Sequence, residues 1–308
     1  MKYDIIVHGV CFADLVFSNI PRIPRPGEEV YCGLFDLTGG ASFITAVALA
    51  RLGVSVAIIA PIGNDLFSQW LKQELSREGV DTKLLFETVA PLRHISVAMN
   101  YQGDRGFLSY VDDYSHDRFI QHSQSAIRDN PSRFVHISGR PGIEGIVSEA
   151  HAQGTQVSMD VGWNDEWIIH QGLKNLISAV DLFMPNEKEA LAISGTDQAD
   201  AAIRYLRGLC PNVVVKLGKR GALMMGKADA EPRLVETSPM SGVVDTTGAG
   251  DNFDAGVLAG FSQNGDLHKG CVIGNICGGR SVQALGGNKM SPTRDEVNAA
   301  LEEFGWRL

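Results

Sequence analysis

Short apolar runs alternate with longer amphipathic stretches along this chain. IIVHGV, VSVAIIA, FVHIS, QVSMDV, DLFMP and VVVKLG are brief and rich in β-branched residues, the pattern of buried strands. Between them, ASFITAVALARLG, DLFSQWLKQELSREG, GIVSEAHAQG and the stretch 187–210 space their apolar residues as helices do. Such alternation predicts a parallel sheet covered on both faces, because parallel neighbours need crossovers and helices usually supply them. No internal repeat and no low-complexity linker divides the chain, so residues 1–308 are expected to form one domain.

Two regions break the alternation. PRIPRPGEEVYCG, within about 11–36, is too rich in proline for a helix. HISVAMN and FLSYV, within 93–113, read as two strands joined by a glycine-containing turn, YQGDRG. Plain surface loops are the commoner fate of such segments. The preferred reading pairs them into a small β-lid that covers one edge of the main sheet and closes over a cleft.

Composition narrows the classes. Hydrophobic residues make up 44% of the chain and charged residues 20%, ordinary values for a soluble globular protein. No apolar run approaches the ~20 residues that cross a bilayer, which argues against a membrane protein. MKYDIIVHGV reads as a first strand and not as a cleaved leader. Cys11, Cys32, Cys210, Cys271 and Cys277 form no C-x-x-C pair, so free thiols in a reducing cytoplasm are expected, without zinc or disulfides. A net charge of −9 with no Lys/Arg block argues against nucleic acid as a partner. His8 and His136 lie inside strand-like runs and read as packed core residues.

The densest chemistry lies in VVDTTGAGDNFDAGVLAGF. FDAGVLAGF is helical, and the helix is expected to start within GAGD. A helix start leaves backbone N–H groups unpaired, and its dipole favours negative charge. Gly248 and Gly250 would let that backbone approach a phosphate, and Asp251 in the same turn would stand where it takes a proton from an attacking hydroxyl. The plainer alternative is a tight turn with an aspartate that favours the dipole. No G-x-x-x-x-G-K-[ST] occurs, and GAGDNF is not G-x-G-x-x-G, so P-loop and dinucleotide-binding readings lose ground.

DTTGAGDNFDAG resembles the C-terminal signature of the ribokinase-like (PfkB) family of carbohydrate and nucleoside kinases. GVCFAD, PRPGEEV, TGGASFITAVALARLG, MPNEKEA, VVVKLGKRGAL and NICGGRSVQALGG with SPT resemble further family elements, in family order over nearly the whole chain. The resemblance implies a three-layer α/β/α fold with a mostly parallel central sheet. It also implies an ATP- and Mg2+-dependent enzyme that phosphorylates a primary hydroxyl of a small sugar or sugar-like molecule. By the same resemblance Asp251 is the base, and Gly248, Ala249 and Gly250 hold the transferred phosphoryl group. Asp14, Gly39, Gly40 and the neighbouring Thr45 grip substrate hydroxyls. Asn186 and Glu189 order Mg2+ through water, while Lys216, Gly218, Gly221 and Asn275 line the nucleotide. Asp245 and Thr247 are the family's ligands for a monovalent cation such as K+, and homodimers pair through the lid.

Taken alone, Asp14 reads as the start of a turn, Glu189 as a solvated helix-face charge, and Lys216 as a lysine pointing out at a strand's end. The chain also departs from the family. Ile44 stands where members usually carry a substrate-contacting asparagine, so the acceptor or its pose is expected to differ from ribose. Met290 stands where a serine ligand of the cation would lie, with Ser291 one step away. Two other readings stay open: a nucleoside kinase, with Phe12, Phe35, Tyr101, Phe107 or Tyr110 stacking on a base, and a non-catalytic sugar or nucleotide sensor.

Overall fold

The computed structural model describes residues 1–101, 104–238 and 242–308. The chain opens with β1 (Tyr3–His8), β2 (Cys11–Ser18), β3 (Leu34–Ala41), α1 (Ser42–Arg51), β4 (Val56–Ile59), β5 (Pro61–Ile62) and α2 (Leu66–Arg77). Then come β6 (Phe86–Glu87), β7 (His94–Tyr101), β8 (Asp104–Val111), α3 (His116–Asp129), β9 (Ser132–Ser138), α4 (Glu144–Ala152), β10 (Gln156–Asp160) and α5 (Gln171–Ile177). The remainder is β11 (Leu182–Phe183), α6 (Glu187–Ser194), α7 (Ala199–Arg207), β12 (Val213–Lys216), β13 (Ala222–Met225), β14 (Arg233–Val235), α8 (Ala249–Asn264), α9 (Leu267–Ser281) and α10 (Arg294–Leu301).

The main sheet runs β14-β13-β12-β11-β10-β9-β1-β4. The strands from β12 to β4 are parallel, and β13 and β14 add an antiparallel edge. Alternate residues of each strand feed two apolar clusters, one per face: Ile5, Val7 and Ile58 pack with α1, α8 and α9, whereas Ile6, Val135 and Val157 pack with α3, α4 and α5. This is a three-layer α/β/α arrangement. His8 and His136 are buried within it, bonded to Ser123 and Ser158, and burial pushes them down to about 3 and about 4. The five cysteines are free. Among the described residues no helix is long and apolar enough to cross a membrane.

A second sheet, β3-β2-β7-β8, joins the two irregular regions: β2 pairs antiparallel with β3 and parallel with β7. Residues 102–103 of the expected YQGDRG turn lie outside the described residues. The stretch 187–210 is not one helix. It breaks after α6 because Gly195 adopts a left-handed φ of 69°, and α7 restarts at Ala199. α3 escaped the sequence reading, although Ser115 caps it and Phe119, Ser123, Ala126 and Ile127 form its buried stripe.

α8, the helix that Asp251 opens, lies almost backbone to backbone on α9. A Cβ at Gly256 would fall 2.8 Å from the Gly274 Cα, and one at Gly260 would fall 2.9 Å from the Gly270 Cα. Only glycine permits this approach. Gly256→Ala is therefore expected to lower stability by about 1–3 kcal/mol, the usual cost of overpacking, in urea unfolding. An unchanged midpoint would show that the two helices separate freely.

Candidate active site

The C-terminal ends of the parallel strands and the lid sheet converge where α1 and α8 begin. α1 follows β3 through Ala41, whose φ of 55° is strained for a residue with a side chain, and this bend aims the start of the helix at the site. α8 starts at Ala249, with Gly248 as its cap at φ 70°. The first-turn amides of Gly250 and Asp251 have no intrahelical acceptor, as at every helix start. The Ala249 N–H makes a long bond of 3.4 Å to the Thr246 carbonyl. Added to Gly248, a Cβ would lie 2.7 Å from the Gly287 Cα and 2.8 Å from Ile44 Cδ1. Ile44 is therefore a wedge under the GAG turn and is fully buried there.

Asp251 accepts a hydrogen bond from Thr45 Oγ1 at 3.4 Å. Burial pushes its carboxyl up to about 6; Asp160 adds to this and Lys216 opposes it. Asp14, on β2, is raised to about 7 by burial and by the charges of Asp251 and Asp245. The charge of Asp251 thus reaches Asp14. Gly39 and Gly40 lie on β3, close to Asp14. A Cβ at Gly40 would meet the Asp14 carboxylate at 2.1 Å, and one at Gly39 would meet the Phe43 ring at 2.2 Å. The absent side chains leave room for neighbours of the protein itself: Gly40 seats the Asp14 carboxylate and Gly39 the Phe43 ring.

Lys216 does not point outward. Its Nζ lies 3.0 Å from Asp160 and 2.9 Å from Asp254, and a Cβ at Gly250 would be 3.5 Å away. Burial works against its charge, but Asp160, Asp254 and Glu189 outweigh burial and hold the ammonium above its ordinary value. Asp254 is itself raised by burial, with Lys216 pulling the other way and Asp160 adding repulsion. Its Oδ1 is buried without a hydrogen-bond partner.

The N-x-x-E element is a reciprocal helix cap, not a solvated face. Asn186 accepts the Glu189 N–H at 2.9 Å, and Glu189 Oε2 accepts the Asn186 N–H at 2.8 Å. Burial and Asp160 push Glu189 up to about 7, against the pull of Lys216. Asp245 accepts from Thr247 N at 2.9 Å, from Thr247 Oγ1 at 2.7 Å and from Gly286 N at 3.1 Å, so both its oxygens tie loops together. The Ser291 hydroxyl is given to Asn252.

Beside the GAG turn a cavity of about 320 Å³ is lined by Lys216, Gly218, Thr237, Gly250, Phe253 and Asn275. Gly218 turns at φ 59° with open space where a Cβ would be, whereas a Cβ at Gly221 would strike the Val235 carbonyl at 2.1 Å. Asn275 donates to the carbonyls of Val235 and Glu236 and so holds β14 against α9.

Residues 36–294 match the pfkB family of carbohydrate kinases. The chain belongs to that family. Among its relatives, the ribokinase of Haemophilus influenzae is 26% identical over 98% of this chain and 99% of its own length. The 2-dehydro-3-deoxygluconokinase of Bacillus subtilis is 25% identical over 98% and 96%. The structure of Arabidopsis thaliana ribokinase complexed with ribose and ATP superimposes with a TM-score of 0.82, covering 98% of this chain and 99% of that one at 22% identity. The chain is thus a phosphotransferase of the carbohydrate kinase class with a ribokinase-like fold.

Two acids of this kinase site were missed from sequence: Asp160, the last residue of β10, and Asp254, one helical turn beyond Asp251. The available signals were a charge that ends an otherwise apolar strand at the ligand-binding edge of a parallel sheet, and an acid inside an apolar helix face. Lys216→Met would leave both uncompensated, and the expected loss is about 3–5 kcal/mol of stability, read as a lower Tm. Lys216→Met/Asp254→Leu should recover part of it. Equal losses in the single and double variants would remove the ion pair as the cause.

Proposed function

We propose that this protein is an ATP-dependent sugar kinase in which Asp251 is the general base. The observation that carries the reading is a half-buried carboxylate in the first turn of α8, beside first-turn main-chain amides, hydrogen-bonded to Thr45 and close enough for its charge to act on Asp14. The acceptor's primary hydroxyl hydrogen-bonds Asp251, and its oxygen attacks the γ-phosphorus of ATP in line. As the new O–P bond forms, the bond to the β–γ bridging oxygen breaks, ADP leaves, and Asp251 takes the hydroxyl proton. Developing charge on the phosphoryl oxygens is met by the amides of the GAG turn, to which Ala249 and Gly250 contribute. Asp14 orients the other hydroxyls, Thr45 steadies Asp251, and the lid excludes water as a competing acceptor.

The nucleotide fits the cavity between Lys216, Gly218 and Asn275. Glu189 and Asp160 are the acids that would hold Mg2+ through its waters, with Asn186 fixing Glu189; the metal would neutralise phosphate charge. Asp245 and Thr247 are the residues that would meet a monovalent cation such as K+; here Asp245 accepts from Thr247 and Gly286. Lid residues Phe35, Leu108, Tyr110 and Val111 are exposed, a surface suited to lid pairing between two copies. Leu108→Asp should shift sedimentation toward the monomer, and a wild-type monomer at every concentration would exclude the pairing.

Asp251→Asn should keep the fold and lower kcat by about two to four orders of magnitude. The base works only when ionised, so wild-type turnover should fall as pH drops through about 6, with Asp14 near 7 broadening that limb. Near wild-type turnover in Asp251→Asn would remove the residue from this role.

A further inference from the structure

The cation nearest the reaction centre is paired: Lys216 is held between Asp160 and Asp254. Arg140 is not. It stands two residues beyond Ser138, the last residue of β9, which lies opposite Asp160 in the β9–β10 pair. The side chain is half-buried, and among the described residues its guanidinium has no hydrogen-bond or ion-pair partner. A cavity of about 660 Å³ opens at these strand ends, lined by Ser138, Arg140, Gly162, Trp163 and Asn164. Glu166 lines the same cavity without reaching ion-pair distance.

On its other side Arg140 acts on the lid. Burial first, and then the charge of Arg140, holds down the imidazoles of His8 and His94. The His94 ring stacks on Phe12 with centroids 5.4 Å apart, and Phe12 lies opposite Gly40, against which the Asp14 carboxylate is seated. The charge of Arg140 thus reaches His94, whose stacking partner Phe12 lies across from the glycine that seats Asp14. Nε2 of His94 and Nδ1 of His8 are buried without hydrogen-bond partners.

We propose that Arg140 receives a carboxylate carried by the acceptor, so that this kinase phosphorylates a sugar acid. The proposal rests on the kinase reading above. A partly desolvated guanidinium without a protein counterion is costly to keep, and a bidentate carboxylate is the ligand its planar fork matches. One fixed charge suits a monoanion. A phosphate dianion is better matched by two cations than by one. Family likeness does not choose, because a ribokinase and a 2-dehydro-3-deoxygluconokinase are about equally similar to this chain.

The test is initial-rate phosphorylation with ATP and Mg2+ of aldonic and 2-keto-3-deoxyaldonic acids, their neutral sugar counterparts, and sugar phosphates. Wild type should show a KM for a sugar acid at least about tenfold below that for its neutral counterpart. Arg140→Gln should raise the KM for the acid by about ten- to a hundredfold, the worth of a charge-assisted pair, and leave the neutral sugar within about twofold. Arg140→Lys should restore part of the preference, which a merely structural role would not do. Preference for neutral sugars or for sugar phosphates, or equal losses on acid and neutral acceptors in Arg140→Gln, would overturn the proposal and leave the kinase reading standing. Failure of ATP turnover with every acceptor would count against the kinase reading instead. Calorimetric binding of the sugar acid, present in wild type and lost in Arg140→Gln, would then still decide for Arg140, and its absence in wild type against it.

Discussion

The site depends on one buried cation. Lys216 ends β12 and reaches both Asp160, at the end of β10, and Asp254, inside α8. It therefore fastens the helix that carries Asp251 to the strand end that carries Asp160. Asp254 is buried, and its charge would be costly there without the ammonium beside it. The same ammonium pulls Asp251 down while burial and Asp160 push it up, and the outcome is a carboxyl at about 6. That value leaves the base ionised at neutral pH yet still able to accept a proton.

Glycine in this protein is mostly occupied space. Gly39 makes room for Phe43, Gly40 for Asp14, Gly248 for Ile44 and Gly287, and the glycines of α8 and α9 for each other's backbone. A motif rich in glycine invites the thought of a ligand lying against it. Here the neighbours fill the gaps, and the ligand-facing consequence is indirect: the amides and carboxylates are pinned where they are. Ile44 shows the same logic. This apolar side chain is the wedge packed under the GAG turn.

Much of the fold was legible because it is written in local periods. β-branched runs and helical spacing gave the parallel strands, α1, α2 and α4, since each must bury a stripe whose period is set by its own backbone geometry. GAGD gave the start of α8 for the same local reason, unpaired amides beside an acid. The break at Gly195 was missed because one positive φ in an otherwise helical pattern leaves little trace. α3 was missed because its buried stripe is thin and partly polar.

Alone, the sequence determined the family and the layered fold, because those rest on motifs and periods read along the chain. Tertiary structure decided what those residues touch. Lys216 turned inward because two acids far apart in sequence, one at the end of β10 and one inside α8, converge on it, and charge neutralisation outweighs the cost of burial. Asn186 and Glu189 cap one another because the helix start they share needs it. Arg140 could be weighed only in three dimensions, since the meaning of a cation lies in whether an anion stands beside it, and distance across a fold is not a property of spacing along a chain.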